Sequence, residues 1–386
     1  MINITSKKNC CGCSGCYNVC PTNCIDMIMD KEGFLYPEVD KNKCIDCSLC
    51  ERVCPMLNEH IYNINPGVYA CKNKDNDIKF KSSSGGVFSV FADYVLKNDG
   101  IVYGAGFNNK FEVAHMKVNN GIMLKKLRGA KYVQSNINDS FIKVKGYLHQ
   151  NRQVLFSGTP CQIAGLNNYL NEGYNNLILV DVVCHGVPSP GVFKKYIDYM
   201  KKIYKGSIQD ISFRAKELSI QALKIVFNNG KIYLKSASDD PYYRAFLSNL
   251  ILRPSCYACK HNNFRSGSDI TIADYWGAST RFANYNEKEG VSLVITKTEK
   301  GKELFSLLYD KFEVAESDLK HAVKYNPSIT ESFPTNPERN KFFQGYKKNK
   351  IPIIKLLTKY DEGRFIKRLL RKLKRIGIKS KAILGV

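Results

Sequence analysis

The chain has 386 residues, enough for two or three domains, and its hydrophobic content of 44% is ordinary for a globular protein. Its formal net charge of +23 favours anionic partners without choosing among nucleic acid, membrane and acidic protein. The polar start of the chain does not resemble a signal peptide, and no apolar run is long enough to span a bilayer. We therefore expect a cytoplasmic protein, whose 15 cysteines indicate metal ligation rather than disulfides.

Two cysteine runs near the N-terminus have the same spacing. Each reads C-x2-C-x2-C-x3-C-P, the spacing with which bacterial ferredoxins bind [4Fe–4S] clusters, taking three ligands from one run and the fourth from the other. The predicted ligands are Cys10, Cys13, Cys16 and Cys54 for one cluster and Cys44, Cys47, Cys50 and Cys20 for the other. Zinc sites use pairs of C-x2-C, and a disulfide framework would need an exported protein, so iron–sulfur ligation is favoured.

Residues 1–62 are therefore predicted to form a ferredoxin-type domain. Between the cysteine runs, 25–29 and 34–39 are predicted strands joined by a turn that ends at Gly33. Cys11 and Cys24 fall outside the ligand spacing, and we expect them to be small buried residues.

The next predicted domain, residues 63–150, contains a loop of small residues that leads into a helix. Ser82-Ser83-Ser84-Gly85-Gly86 precedes the amphipathic run 87–97, and a helix N-terminus of this kind offers backbone N–H groups to an anion. A loop without a ligand fits the pattern equally well. Strands are predicted at 68–71, 101–107 and 112–118, and a further helix at 139–150.

Residues 151–332 form a third predicted domain, in which strands and helices alternate. Strands at 153–156 and 177–184 each run into a loop and then a helix, which predicts parallel neighbours whose loops meet at one edge of the sheet. Those loops carry Cys161 and Cys184, and the C-x2-C pair Cys256 and Cys259 follows later. Four thiolates are what a third [4Fe–4S] cluster needs, but zinc, or two buried cysteines and an unrelated pair, would fit the same spacing.

The last predicted segment, 333–386, is a basic helical tail. Within it, 363–384 carries apolar side chains on one helical face and basic side chains on the other. Such a helix either lies on an anionic membrane surface, here the inner face of the membrane, or packs on the protein's own core. Aromatic residues do not alternate with the basic ones, so we expect no nucleic acid as a partner.

Several short motifs follow one another between about residues 65 and 330. They are Ser82-Ser83-Ser84-Gly85-Gly86, Lys131-Tyr132-Val133-Gln134-Ser135, Ser157-Gly158-Thr159-Pro160-Cys161-Gln162, Cys184-His185-Gly186-Val187-Pro188-Ser189-Pro190, Cys256-x2-Cys259 and Asp274-Tyr275-Trp276-Gly277. Together they resemble the beta-subunit family of coenzyme F420-reducing hydrogenase and dehydrogenase, to which plant and algal hydroxymethyl chlorophyll a reductase also belongs.

The resemblance implies an FAD site and a [4Fe–4S] cluster on Cys161, Cys184, Cys256 and Cys259. The residues that it suggests for FAD binding are Ser83, Ser84, Gly85, Gly86, Lys131, Gln134, Ser135, Thr159 and Gln162. Lys131 beside the flavin ring would stabilise negative charge on the reduced ring, and His185 is a candidate for proton transfer. Lys131 as an ordinary cation and His185 as a turn residue remain alternatives, and Asp274 and Trp276 have either a functional or a purely structural role.

The predicted architecture is α+β and multidomain, with a ferredoxin module, an α/β-type FAD and iron–sulfur core, and a basic tail. The predicted function is that of an iron–sulfur flavoprotein oxidoreductase. Electrons from ferredoxin or another redox donor would pass through the three clusters to FAD and then to an unknown small-molecule acceptor. The alternatives are an enzyme that uses the deazaflavin coenzyme F420, an electron-transfer subunit without its own substrate, and a cluster protein with a structural or regulatory role. Nothing in the sequence indicates the oligomeric state.

Overall fold

A computed structural model describes residues 1–360. The predicted amphipathic helix at 363–384 lies outside the described residues, so its contact with a membrane stays a prediction. The boundaries of the four predicted domains are likewise still predictions. Within the described part of the chain, no helix is both long enough and apolar enough to cross a membrane.

The two cysteine runs at the N-terminus have the same local structure. Ser14 and Ser48 have positive φ angles of 59° and 58°, and each begins a short helix. Between the runs lies an antiparallel hairpin whose turn is closed by Asp30, since its Oδ1 accepts the amides of Glu32 at 2.9 Å and Phe34 at 3.0 Å. The elements are α1 (Gly15–Val19), β1 (Ile25–Met29), β2 (Leu35–Val39) and α2 (Leu49–Arg52). The predicted hairpin is confirmed.

An eight-stranded mixed sheet forms the centre of the protein. In sheet order its strands, numbered along the chain, are β13 (Phe312–Glu316), β3 (Gly67–Asn73), β12 (Ser292–Thr296), β11 (Ile270–Asp274), β7 (Leu177–Val182), β6 (Val154–Gly158), β4 (Ile101–Phe107) and β5 (Val113–Val118). The four strands β11, β7, β6 and β4 run parallel, and the outer pairs are antiparallel. The predicted parallel neighbours β6 and β7 are confirmed, and the loops that follow β6, β7 and β11 share one edge.

Local sequence explains why a helix follows each of the two central strands. After β6, Thr159 and Gln162 form a capping box and Pro160 occupies the first turn, where its missing N–H costs nothing. After β7, the Ser189 hydroxyl accepts the amide of Val192 in the same way. The helices that cover the sheet are α3 (Asn76–Lys81), α4 (Val87–Lys97), α5 (Gly121–Leu124), α6 (Ser140–His149), α7 (Pro160–Leu170), α8 (Pro190–Tyr204), α10 (Glu299–Leu307) and α11 (Leu319–Tyr325).

A second, three-stranded antiparallel sheet lies beside the first and shares the largest apolar core. Its elements are β8 (Ile208–Ser212), β9 (Ala222–Phe227), β10 (Ile232–Ser236) and α9 (Pro241–Leu247), and two helices that belong to the predicted tail pack with them, α12 (Arg339–Lys348) and α13 (Ile353–Lys359). Phe342 and Leu356 are buried there. Residues 339–359 therefore belong to the core of the protein.

The N-terminal region docks onto the sheet domain through its hairpin turn. Gly33 has a φ of +81°, and a Cβ at this position would lie 2.6 Å from the Cα of Gly191 at the start of α8. The Ser189 hydroxyl donates to the carbonyl of Glu32 at 2.6 Å, and the carboxylate of Glu32 pairs with Arg339 at 2.7 Å. Only glycine permits this close approach, so the turn fixes the cysteine runs against the central domain.

Candidate redox site

Four of the predicted cysteines in the N-terminal region lie together, and we call them the inner site: Cys10, Cys13, Cys16 and Cys54. Burial raises the pKa of Cys16, and the neighbouring thiols of Cys10 and Cys54 raise it further. Burial also raises the pKa of Cys54, and Cys10 adds to that shift. Several buried thiolates this close would repel one another, so their deprotonation needs a cationic group between them, as the iron of a cluster provides.

The other four predicted cysteines form the outer site: Cys20, Cys44, Cys47 and Cys50. All four line one small cavity, whose wall also includes Cys24. Cys24 is buried, as predicted, and its sulfur lies 3.4 Å from that of Cys20. The loop that carries the outer site reaches the surface, where the side chain of Ile45 is 64% exposed. The outer site is therefore accessible to a partner protein.

The remaining predicted ligands form the core site: Cys161, Cys184, Cys256 and Cys259. Cys161 lies in the first turn of α7, and Cys184 follows β7. Cys256 lies in a single helical turn, Pro254–Ala258, and Cys259 directly follows that turn. Burial raises the pKa of Cys184, and the other three thiols raise it further. Burial, with the thiols of Cys161 and Cys259, raises the pKa of Cys256 to about 12. Burial, with the thiol of Cys161, raises the pKa of Cys259 to about 11. The structure thus brings together four thiols that are far apart in the sequence.

These thiols are not gathered around a single point. Within residues 1–360, no three or more His, Cys, Asp or Glu side chains are grouped so that they could hold one metal ion. A zinc ion needs all its sulfur ligands about 2.3 Å away, whereas each thiolate around a [4Fe–4S] cube binds a different iron. Four cysteine sulfurs at each site correspond in number to the four irons of a cube.

The inner and core sites are neighbours, and Cys11 lies between them. The buried side chain of Cys11 packs in one cluster with Cys13, and Cys161 packs against the same cluster. Helix α7, which carries Cys161, packs directly on the inner site, since a Cβ at Gly165 would lie 2.8 Å from the Cβ of Cys13. This contact brings two of the three cysteine sites next to each other.

A cleft of about 410 Å³ adjoins the core site, and Cys184 is part of its wall. It lies at the sheet edge where the loops after β6, β7 and β11 meet, and its volume is typical of a small-molecule site. Eight of the residues predicted for FAD binding or catalysis line it, namely Ser83, Ser84, Gly86, Lys131, Ser135, Thr159, Gln162 and His185. The structure therefore brings together most of the residues that the resemblance suggests for one cofactor.

Two residues predicted for FAD binding lie elsewhere. Gly85 packs against the sheet, where its amide donates to the Ser292 hydroxyl at 2.9 Å and a Cβ would lie 2.3 Å from the carbonyl oxygen of Cys71. The side-chain amide of Gln134 points to the inner site and donates to the carbonyl of Cys11 at 2.9 Å. Gly85 therefore positions the serine loop, and Gln134 holds the N-terminal region against the central domain. Cys71 itself is buried in the sheet, as its place in a strand predicts.

Lys131 lies at the wall of the cleft with its ammonium group turned towards backbone. It donates to the carbonyls of Lys126, Leu127 and Arg128 at 3.0, 2.9 and 3.0 Å. Burial lowers the pKa of Lys131 to about 7. The three carbonyls hold the side chain of Lys131 in place, and its predicted role beside a flavin stays a prediction.

His115, which no sequence motif contains, lies at the floor of the cleft. Its Nε2 donates to the carbonyl of Ser157 at 2.9 Å, which leaves Nδ1 as acceptor for the Ser135 hydroxyl at 3.0 Å. That hydroxyl in turn accepts from Gln162 at 2.9 Å. Burial lowers the pKa of His115 to about 4, so the imidazole is neutral at pH 7. The predicted Ser135 and Gln162 are thus members of one hydrogen-bond chain under the cleft.

Arg214 is a second cleft residue without a sequence signal. Its guanidinium, 3% exposed, pairs with Asp274 at 2.7 Å and donates to the Tyr132 hydroxyl and the Ser83 carbonyl, each at 2.9 Å. The ring of Trp276 lies 5.9 Å away. Asp274 therefore positions a buried cation that joins three of the motifs.

His185 lies on the side of the cleft next to Cys184. Its Nε2 is 2.6 Å from the side-chain oxygen of Asn249, and its ring packs against Phe246 and Phe333 at 5.1 and 4.0 Å between centroids. Burial lowers the pKa of His185. The ring is held by an amide and two aromatic side chains, and its part in proton transfer stays a prediction.

Two cysteine sites in a duplicated N-terminal run, next to a third site beside a cleft, are the features of an iron–sulfur electron-transfer protein. Residues 9–57 match the 4Fe-4S dicluster domain, and residues 151–321 match the C terminus of the coenzyme F420 hydrogenase/dehydrogenase beta subunit. Over these two segments the chain is similar to those families, and the predicted resemblance is confirmed. The protein is an iron–sulfur electron-transfer protein related to that beta subunit, and its relatives are subunits of oxidoreductases.

One solved structure with a similar chain is the F420-reducing [NiFe] hydrogenase complex from Methanosarcina barkeri, studied by xenon derivatization. The two chains are 15% identical, with a TM-score of 0.45, over 80% of this chain and 93% of the other. No curated protein has a significantly similar sequence.

Proposed function

We propose that this chain transfers electrons from ferredoxin or a similar donor, through three [4Fe–4S] clusters, to FAD in the cleft and then to a small-molecule substrate. The outer and inner sites would hold the two clusters of the dicluster domain, and the core site the third. Clusters accept single electrons and flavins convert between one and two, so the cofactors are matched in their chemistry.

The observation that carries the proposal is the continuity of the sites. The outer loop reaches the surface, the inner site contacts the core site through Cys11, and Cys184 of the core site forms part of the cleft wall. An electron that enters at the surface would therefore move between neighbouring sites until it reaches the cleft. If the clusters served only folding, the cysteine sites would not need to adjoin one another from the surface to the cleft.

The walls of the cleft fit an anionic, planar cofactor. Two guanidinium groups, of Arg128 and Arg214, lie along it with the amine of Lys131, which is charged below about pH 7. The start of α4 after Gly86 adds backbone N–H groups to the wall. These groups suit a pyrophosphate and a reduced flavin ring, and FAD would supply hydride transfer. The chain's own residues would bind and orient the ring, with Ser135 and His115 as the hydrogen-bonded floor beneath it.

Anaerobic reduction followed by EPR spectroscopy tests the electron path. Stepwise reduction is expected to develop signals from three clusters and to bleach the flavin absorption of the same sample. Signals that account for only two clusters, together with no flavin absorption, would reject the proposal.

A second candidate is an oxidoreductase that uses coenzyme F420 itself, and the family match at residues 151–321 favours it. Reduction of FAD or of added coenzyme F420 by the electron-loaded protein distinguishes the two. If the purified chain contains clusters alone and reduces neither cofactor, an electron-transfer subunit without its own substrate is the remaining candidate.

A further inference from the structure

Arg253 is a fully buried cation at the contact between the inner site and the core site. None of its surface is exposed, and it precedes the helical turn that carries Cys256. Its Nε donates to the carbonyl of Cys10 at 2.7 Å, and one terminal nitrogen lies 3.3 Å from the sulfur of Cys10. The other terminal nitrogen donates to Gln134 at 3.0 Å. The guanidinium is thus fixed against an inner-site ligand.

Among residues 1–360, no carboxylate pairs with Arg253. Its remaining contacts within residues 1–360 are the carbonyl of Leu35 at 2.9 Å and the rings of Tyr36 and Phe34, at 4.2 and 5.6 Å. A buried charge costs several kcal/mol unless an opposite charge compensates it. The group beside the guanidinium that becomes negative when a cluster binds is the sulfur of Cys10, 3.3 Å from a terminal nitrogen of Arg253.

The first cysteine run is shaped to receive this side chain. Gly12, between two inner-site ligands, has a φ of +74°, and a Cβ there would lie 2.8 Å from a terminal nitrogen of Arg253. Any larger residue would displace the guanidinium or the ligand loop. The second run has Asp46 at the equivalent place, also with positive φ, where the loop is exposed. Of the two cysteine runs, the first is therefore the one whose loop is shaped around a buried cation.

We propose that Arg253 is the counter-ion of the cluster held by the inner site and raises the reduction potential of that cluster. The inference rests on the proposed function, because it requires a cluster at Cys10. A thiolate-bound cluster is anionic, and reduction by one electron from the donor adds a further negative charge while Arg253 keeps its proton. A fixed positive charge and a hydrogen bond to a ligand sulfur both favour the reduced state. Arg253 acts through Cys10, so it is a positioning and tuning residue rather than a catalytic one.

Redox titration of the holoprotein, followed by EPR, tests this with three variants. In Arg253→Gln, we expect the equilibrium constant for reduction of one cluster to fall about tenfold, which is about 59 mV for a one-electron couple. Arg253→Lys keeps the charge, so its equilibrium constant for reduction of that cluster is expected to stay within about threefold of that of the unmodified protein. Arg152→Gln removes one charge at the opposite end of β6 from Cys161 and is expected to change no potential.

The iron content of each variant separates a loss of the cluster from a change in its potential. If Arg253→Gln lacks one cluster while Arg253→Lys retains all three, the counter-ion role is supported, because lysine keeps the positive charge and glutamine does not. The proposal is overturned if Arg253→Gln keeps all clusters with unchanged potentials, or if both Arg253 variants lose the same cluster. Fewer than three clusters in the unmodified protein would instead count against the proposed function.

Discussion

Substitution of Gly165 by alanine is expected to loosen the contact between α7 and the inner site. Gly165 lies in the middle of α7, and a Cβ there would lie 2.8 Å from the Cβ and 2.9 Å from the sulfur of Cys13. Both distances are shorter than carbon and sulfur atoms tolerate, so either the helix or the ligand loop has to move. The substitution therefore strains the junction between the inner and core sites.

The expected magnitude follows from two opposing effects. Alanine is favoured over glycine in a helix by about 0.8–1.0 kcal/mol. One additional methyl group in a closely packed interior costs about 1–3 kcal/mol. The free energy of unfolding should therefore fall by up to about 2 kcal/mol, since the steric cost exceeds the helix preference over most of its range.

Gly146 offers a matched control in the neighbouring helix. It lies in the exposed part of α6, where a Cβ would meet no other atom within 4 Å. Gly146→Ala should gain the helix preference alone, so the difference between the two variants isolates the contact with Cys13 and amounts to about 1–3 kcal/mol. Anaerobic guanidinium unfolding of the holoproteins, with iron content as a second measurement, gives this difference. Equal stability of the two variants, each with full iron content, would refute the packing of α7 on the inner site.

Three further predictions concern the core site and the cleft. Cys184→Ser should lower the bound iron by about four atoms per chain, whereas Cys11→Ser should leave it unchanged; equal losses in an anaerobic iron assay would contradict the ligand assignment. The pKa of Lys131 is about 7 in the folded protein and ordinarily 10.5, so between these pH values the unfolded chain binds more protons and the free energy of unfolding rises with pH. Lys131→Met should remove that contribution, and denaturant unfolding from pH 7 to pH 9 should show a smaller rise than in the unmodified protein; parallel pH profiles would contradict the burial of Lys131. Asp274→Asn leaves the Arg214 charge uncompensated and should cost about 3 kcal/mol, whereas Asp318→Asn at the surface should cost less than about 1 kcal/mol. The same unfolding assay compares these two variants, and similar losses would argue against a special role for the buried pair.

Sequence patterns predicted the elements whose information is local. The spacing of the cysteine runs, the hairpin between them and the two strand–loop–helix units each depend on residues within about one turn or strand, and all have the predicted structure. The serine loop and α4 could also be predicted, because small residues before an amphipathic run mark the start of a helix. Cys161 and Cys184 could be expected near each other, since the loops after neighbouring parallel strands meet at one edge.

The contacts that could not be predicted join distant parts of the chain through single residues. Arg253 is one of 58 basic residues and contacts Cys10 across 243 positions of sequence, which no local pattern indicates. Gln134 belongs to a motif whose other residues line the cleft, but its own side chain contacts Cys11 instead. That contact exists only because the N-terminal region docks there. Composition alone groups the helices α12 and α13 with the basic tail, whereas Phe342 and Leu356 are buried in the core.

The content of iron, sulfide and flavin in anaerobically purified full-length protein tests the central claim most directly. Three clusters and one flavin correspond to about twelve iron atoms, about twelve sulfide ions and about one FAD per chain. About eight iron atoms and no flavin would contradict the account, because the core site and the cleft would then lack the cofactors proposed for them.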